Sequence, residues 1–170
     1  MSKVLVVDDH PFIRAAVKNL LSQDGLDIVG GASTGQDAIT LAHELDPDLI
    51  VLDLGLPDLD GFEVLHRLAS LKHTKVLVLS TQLPEQFAIR CKLAGAAGYV
   101  CKTLELSELS KAARAILNGK TYFPDTVLSS VREDDLQDES QRLAKLTGRE
   151  LMVLQQLASG MSNKQIGDAM

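Results

Sequence analysis

The sequence has few cysteines, no long apolar run and no excess of positive charge, and each shortage removes a class of function. Two cysteines in 170 residues, Cys91 and Cys101, are too few and too isolated for a disulfide framework or a zinc cluster, and both are expected as small buried packing residues. No segment approaches the roughly 20 apolar residues that a membrane span needs, so no membrane partner is expected. The N-terminus, Met1-Ser2-Lys3-Val4-Leu5-Val6-Val7, meets two aspartates after four apolar residues and has neither the length nor the cleavage site of a secretion signal; a cytoplasmic location is the expectation. His10, His43, His66 and His73 show no ligand spacing and read as surface residues. The net charge of −6 argues against a chain that binds nucleic acid along its whole length, but the charge is uneven. Residues 1–140 carry 13 Lys and Arg against 21 Asp and Glu (−8), whereas residues 141–170 carry 4 against 2 (+2). An acidic body precedes a mildly basic tail.

What is present is an ordinary globular composition, 45% hydrophobic and 24% charged, in a chain long enough for one full domain and a piece of another. Short segments rich in Val, Ile and Leu at Val4 to Val7, Ile28 to Gly31, Leu49 to Leu52, Val76 to Leu79 and Tyr99 to Cys101 predict five buried strands. Between them, Ile13, Val17, Leu20 and Leu21 share a helical face, as do Ala38, Leu41, Ala42 and Leu45, and later Leu106, Leu109, Ala113, Ile116 and Leu117. Ser33 with Gln36 has capping-box spacing, Pro84 suits a first helical turn, and Asn118-Gly119 suits a helix end. Residues 1–119 therefore read as (βα)5. Right-handed crossovers make that a doubly wound α/β fold with a parallel five-stranded sheet, for which the flavodoxin-like order 2-1-3-4-5 is the expectation. Ligands in such sheets sit beyond the carboxyl ends of the strands, where the strand order reverses between strands one and three.

Residues 120–143 lose the pattern and carry Glu133-Asp134-Asp135 and Asp138-Glu139, which predicts a linker. In residues 144–170, Thr147 with Glu150 forms a capping box and Leu146 with Leu151 a hydrophobic staple; after Gly160, Ser162 with Gln165 and Met161 with Ile166 repeat the arrangement. Two helices joined by a tight turn are expected there, the opening part of an all-α helix-turn-helix domain.

The chemistry gathers at one edge of the predicted sheet. The first strand ends in Asp8-Asp9, the third in Asp53 and the fourth in Ser80-Thr81, while Lys102 follows the fifth. Each has a plain reading: an aspartate before a helix is a common cap, a lysine is most often solvated, and Ser-Thr is an ordinary turn. Their joint position changes the balance. Three carboxylates at adjacent strand ends repel one another unless a cation is bound, and oxygen-only ligands with room for water favour Mg2+. In that setting Asp53 can act as a phosphoryl acceptor, with Lys102 and the Ser80 hydroxyl taking phosphoryl oxygens and the Gly55 carbonyl offering a further metal ligand.

These residues, Val6-Val7-Asp8-Asp9-His10-Pro11, Leu52-Asp53-Leu54-Gly55-Leu56-Pro57 with Asp60-Gly61, Ser80, and Gly95-Ala96-Ala97-Gly98-Tyr99-Val100-Cys101-Lys102, together resemble the receiver domain of bacterial two-component response regulators. The tail, Leu146-Thr147-Gly148-Arg149-Glu150 through Gly160-Met161-Ser162-Asn163-Lys164-Gln165-Ile166, resembles the LuxR-type helix-turn-helix of the NarL/FixJ class; with Thr121-Tyr122-Phe123-Pro124, the BvgA/EvgA branch is the nearest in pattern. The resemblance implies Asp53 as phosphoacceptor, Asp8, Asp9, Asp53 and the Gly55 backbone as the magnesium site, and Ser80 and Tyr99 as switch residues beside Lys102. It also implies a sensor histidine kinase as phosphoryl donor, DNA as a partner of the full-length protein, and a homodimer contact as one route of output. Two departures accompany it. Thr103 stands where many receivers have proline after the lysine, and the chain reaches Met170 before the helix that would read DNA bases, so a protein truncated within that domain is expected. Three other readings compete. An aspartyl-phosphate phosphatase would need an acid/base Asp at the position of Gly55, a flavodoxin-like cofactor carrier would need a phosphate-cradling first loop in place of Asp8-Asp9, and a degenerate receiver would act through protein contacts alone. The expectation is therefore a phosphoacceptor, and not an enzyme, with slow self-dephosphorylation.

Overall fold

The computed structural model describes residues 1–103, 106–129 and 150. Five parallel strands, β1 (Lys3–Val7), β2 (Asp27–Ala32), β3 (Leu49–Leu52), β4 (Lys75–Ser80) and β5 (Gly98–Cys101), form one sheet of order β2-β1-β3-β4-β5. The helices α1 (Pro11–Gln23), α2 (Gly35–Leu45), α3 (Gly61–Ala69), α4 (Pro84–Leu93) and α5 (Leu106–Leu117) alternate with them, and a short α6 (Asp125–Ser129) follows. This is the expected architecture and strand order.

The two-residue period of the strands builds two cores, one on each face of the sheet. Leu5, Val7, Ile50, Leu52, Val76, Val78 and Tyr99 point to one face, where Ala38 and Ala42 of α2, Leu65 and Leu68 of α3, and Phe87 of α4 cover them. Val4, Val6, Leu49, Val51, Leu77, Leu79 and Val100 point to the other, against Val17 and Leu21 of α1 and Leu109, Ala113 and Ile116 of α5. Leu106, expected on the same helical face, opens α5 and is 54% exposed, lining a cleft with Ile13 of α1 and Leu79 and Val100 of the sheet. Cys91 and Cys101 are buried free thiols, as expected of packing residues.

Helix ends follow local chemistry with one change from expectation. The cap of α2 is Thr34, whose side chain accepts from the Asp37 N–H at 3.1 Å, rather than Ser33; the helix begins one residue later than the capping-box spacing suggests. Pro84 opens α4, and Gly119 closes α5 with φ +81°, a conformation that favours glycine. Asp60 caps α3 by accepting from the Phe62 and Glu63 N–H groups.

The packed body does not stop at Gly119, where the sequence pattern begins the linker. The Tyr99 N–H donates to the Tyr122 carbonyl at 2.8 Å, and the Tyr122 N–H donates to the Ala97 carbonyl at 3.0 Å, so the chain after α5 lies along the edge of β5. Phe123 and Val127 are buried in the first core, and α6 packs on α4. A segment this short carries too few apolar residues to display a period, which is why the pattern dissolves there before the packing does. The remainder of the expected linker, and the paired helices expected from Leu146 to Ile166, lie outside the described residues apart from Glu150. Among the described residues, no helix is long and apolar enough to cross a membrane.

Phe123→Ala is expected to cost about 3 kcal/mol of stability, the usual loss for emptying a buried aromatic site. Leu128→Ala, at a position 47% exposed on the same segment, should stay within about 0.5 kcal/mol of the parent. Urea unfolding followed by circular dichroism checks both.

Candidate functional site

Backbone pairing continues one residue past the strands and sets the site. The Asp53 N–H donates to the Val7 carbonyl at 2.9 Å, the Asp8 N–H to Ala32 at 3.0 Å, and the Lys102 N–H to Ser80 at 2.7 Å. Asp8, Asp53 and Lys102 are therefore each the first residue beyond a strand, on the carboxyl edge where β1 and β3 are neighbours.

Their side chains converge. Lys102 Nζ lies 2.7 Å from Asp8 Oδ2 and 3.0 Å from Asp53 Oδ2, and all three side chains are at most 9% exposed. Asp9 is more open, and its Oδ1 lies 2.8 Å from His10 Nδ1. His10 also donates its backbone N–H to Asp8 Oδ1 at 2.9 Å, while the Arg14 guanidinium donates to the Asp8 carbonyl at 2.6 Å. On the far side of Asp53, the Gly55 N–H donates to Asp53 Oδ1 at 3.2 Å. Asp9 does not cap α1: the N-cap is His10, which makes no side-chain capping bond, and the plain reading of Asp8-Asp9 as a helix start fails.

Electrostatically the pocket is short of positive charge. Burial pushes the Asp53 carboxyl up, opposed by the Lys102 ammonium and the Gly55 N–H, with the Asp8 charge adding to the rise. Burial also works against the Lys102 ammonium, but the two carboxylates on it hold its pKa above the ordinary lysine value. Three carboxylates face one ammonium, and Asp8, Asp9, His10 and Asp53 each offer a ligand atom within 4.8 Å of the others. The three carboxylates of that cluster, oxygen donors with a residual negative charge, fit a hard divalent cation such as Mg2+.

Ser80 and Tyr99 meet at a residue that sequence reasoning passed over. The Ser80 hydroxyl accepts from the Gln82 N–H at 3.2 Å, and the Tyr99 hydroxyl donates to the Gln82 carbonyl at 2.7 Å. Gln82 acts through its backbone, so no side-chain signal could have flagged it. Tyr99 is 1% exposed, and burial raises its pKa well above the usual tyrosine value. Thr81, the alternative hydroxyl, is exposed. His10 is exposed, as expected, and also reaches Asp8 and Asp9 with its ring nitrogen. His43, His66 and His73 are exposed, as expected. The Lys102–Thr103 peptide is trans, and the Thr103 hydroxyl lies 3.0 Å from Cys101 Sγ.

Comparison with known proteins agrees with this geometry. Residues 4–114 match the response regulator receiver domain family. The chain belongs to that family. Residues 144–170 of this response regulator match the LuxR family of bacterial regulatory proteins. Among curated relatives, BvgA of Bordetella pertussis is 48% identical over 171 aligned residues, covering 99% of this chain and 82% of its own length. The response regulator protein VraR of Staphylococcus saprophyticus is 36% identical, covering 98% of this chain and 80% of its own. Among solved structures, a LuxR-family two-component response regulator from Aurantimonas matches with TM-score 0.70 at 31% identity, over 75% of this chain and 94% of that one. The receiver domain of NarL from Mycobacterium tuberculosis matches with TM-score 0.65 at 32% identity, over 70% and 98%. The expected LuxR-type, BvgA-like class is thus met by relatives along the chain.

The raised Asp53 pKa has a signed consequence. A carboxyl whose folded pKa lies above its unfolded value destabilises the fold where it is charged, and that cost disappears as pH falls from the folded pKa toward the unfolded one. Asp53→Asn is therefore expected to raise the Tm of the metal-free protein by a few degrees at pH 7, with the difference closing as the pH is lowered toward the ordinary carboxylate range. Thermal unfolding in chelator across that pH series checks it.

Proposed function

We propose that this response regulator is switched by phosphorylation of Asp53 and that its output is transcription control through the LuxR-type segment. The observation that carries the reading is the buried Asp53 carboxylate held by Lys102 at 3.0 Å beside the Asp8 and Asp9 carboxylates. An Asp53 oxygen attacks the phosphorus of a phosphohistidine on a sensor kinase; the new O–P bond forms as the N–P bond breaks, and the electron pair stays on the departing imidazole nitrogen. A magnesium ion, held by Asp8, Asp9 and Asp53 with the Gly55 carbonyl, would neutralise phosphoryl charge. Lys102 exchanges its Asp53 contact for a phosphoryl oxygen, since it already sits on that carboxylate and carries the only ammonium there among the described residues. Ser80 exchanges the Gln82 N–H for another phosphoryl oxygen, and because Tyr99 is bonded to the same Gln82, movement of that loop reaches the tyrosine.

Gly55 occupies the position two residues after Asp53 where a phosphatase would carry an acid/base aspartate, so the acyl phosphate lasts and hydrolyses slowly. This makes the protein a phosphoacceptor and not a turnover enzyme. In the proposed division, the receiver extends from residue 1 to the end of α6, a linker runs to residue 143, and residues 144–170 belong to the DNA-binding domain. Names among the relatives, including that of BvgA as a positive transcription regulator, support DNA as partner of the full-length protein. A cytoplasmic location and an output through a homodimer complete the reading.

Incubation with acetyl phosphate and Mg2+ is expected to add the mass of one phosphoryl group to the intact protein. Asp53→Asn or omission of the metal should abolish the addition. An unmodified mass under every condition would leave a degenerate receiver that works through protein contacts alone.

A further inference from the structure

The loop that follows Asp53 is fastened at three points, and one fastening crosses to the first turn of α2. At its far end, Asp60 caps α3, and Gly61 lies so close to the loop's beginning that a Cβ there would stand 2.2 Å from the Leu54 carbonyl oxygen and 2.6 Å from its Cα. At its near end, the Gly55 N–H is bonded to Asp53, and a Cβ on Gly55 would lie 3.7 Å from both Asp53 oxygens. Between these, Asp58 reaches 23 residues back along the chain. Its Oδ1 accepts from the Gly35 N–H at 2.7 Å, and its Oδ2 accepts from the Gln36 N–H at 2.9 Å.

This bidentate contact does two things at once. It satisfies two of the unpaired N–H groups of the first turn of α2, a turn that already has Thr34 as its own cap. It also holds the middle of the loop against that turn, where Leu59 packs so closely on Gly35 that a Cβ would lie 3.1 Å from Leu59 Cβ. Water opposes taking the Asp58 charge into these bonds, but the Gln36 and Gly35 amides hold its carboxyl below the usual carboxylate range, so the clamp is ionised at neutral pH.

We propose that Asp58 is a positioning residue for the cation pocket, fixing the Leu54–Gly55 segment beside Asp53 by clamping the β3–α3 loop to the first turn of α2. The proposal rests on the reading of Asp8, Asp9, Asp53 and Gly55 as a magnesium site. A loop fixed at Asp58 presents its backbone to a cation without an ordering cost at the moment of binding, whereas a loop fixed only at Asp60 and Gly61 must be ordered by the ion itself.

The clamp is tested without phosphoryl donor. Magnesium chloride is titrated into the full chain and into Asp58→Ala, Asp58→Asn and Thr34→Ala, and the Tm is followed by circular dichroism; its rise with metal gives a half-saturating concentration. Asp58→Ala is expected to raise that concentration about tenfold, the scale for loss of a residue supporting a metal ligand. Asp58→Asn, which keeps one oxygen acceptor, should shift it less, in the same direction, and carries the comparison if the alanine variant does not fold. Thr34→Ala removes a cap from the same helix without touching the loop; it should lower the metal-free Tm and leave the half-saturating concentration at the parent value. Equal metal dependence in the parent and both Asp58 variants would overturn the proposal, as would a shift in Thr34→Ala as large as that in Asp58→Ala. A parent protein whose Tm does not respond to magnesium would instead overturn the reading of the pocket as a magnesium site, and the positioning role with it.

Discussion

The site depends on one contact, the Lys102 ammonium lying between the buried carboxylates of Asp8 and Asp53. Lys102 follows β5, Asp53 follows β3 and Asp8 follows β1, with β4 between the lysine and the nearer carboxylate. Neighbouring strands stand about 4.8 Å apart, so a long side chain must reach across β4 to make the contact. Removing three charged groups from water is costly, and buried pairs of this kind often contribute little net stability. Their retention in a pocket open to Asp9 and His10 accords with a site poised to take additional positive charge, where the lysine holds the two carboxylates together in the meantime.

Around that contact two loops meet the pocket in different ways. The β3–α3 side is fastened repeatedly, by the Gly55 N–H on Asp53, by Asp58 on α2, by Asp60 on α3 and by the close approach of Gly61 to Leu54. On the β4–α4 side, the Ser80 hydroxyl and the Tyr99 hydroxyl share the backbone of Gln82, and the cap of α4 makes no side-chain bond. Tyr99 links this side to the chain after α5, because its hydroxyl bonds Gln82 while its backbone N–H bonds Tyr122. A displacement at Gln82 has a short physical path through Tyr99 to Tyr122.

The strands and the edge on which the chemistry lies were legible in the sequence because each depends on a strong local signal, and the strand order was expected from the doubly wound fold class that they imply. Buried parallel strands need unbroken runs of branched apolar residues, and single helices between them force right-handed crossovers. Asp8, Asp53 and Lys102 could be located from sequence since each directly follows such a run. The α2 cap was misread by one residue, Ser33 for Thr34, because both are cap-forming residues and only backbone geometry distinguishes them. The stretch that reads as linker from residue 120 contains Phe123 and Val127, which are buried in the first core, and α6 packs on α4, a helix more than 30 residues back in the chain.

Sequence alone thus determined the fold class and which residue types gather at the carboxyl edge, because periodicity and strand-end position are properties of neighbouring residues. Only the tertiary structure decided which of those residues touch. The pairing of Lys102 with both carboxylates, the meeting of Ser80 and Tyr99 at Gln82, and the grip of Asp58 on Gly35 and Gln36 are each made between segments distant in the chain. Their partners are fixed by strand register and helix packing, which no local pattern encodes.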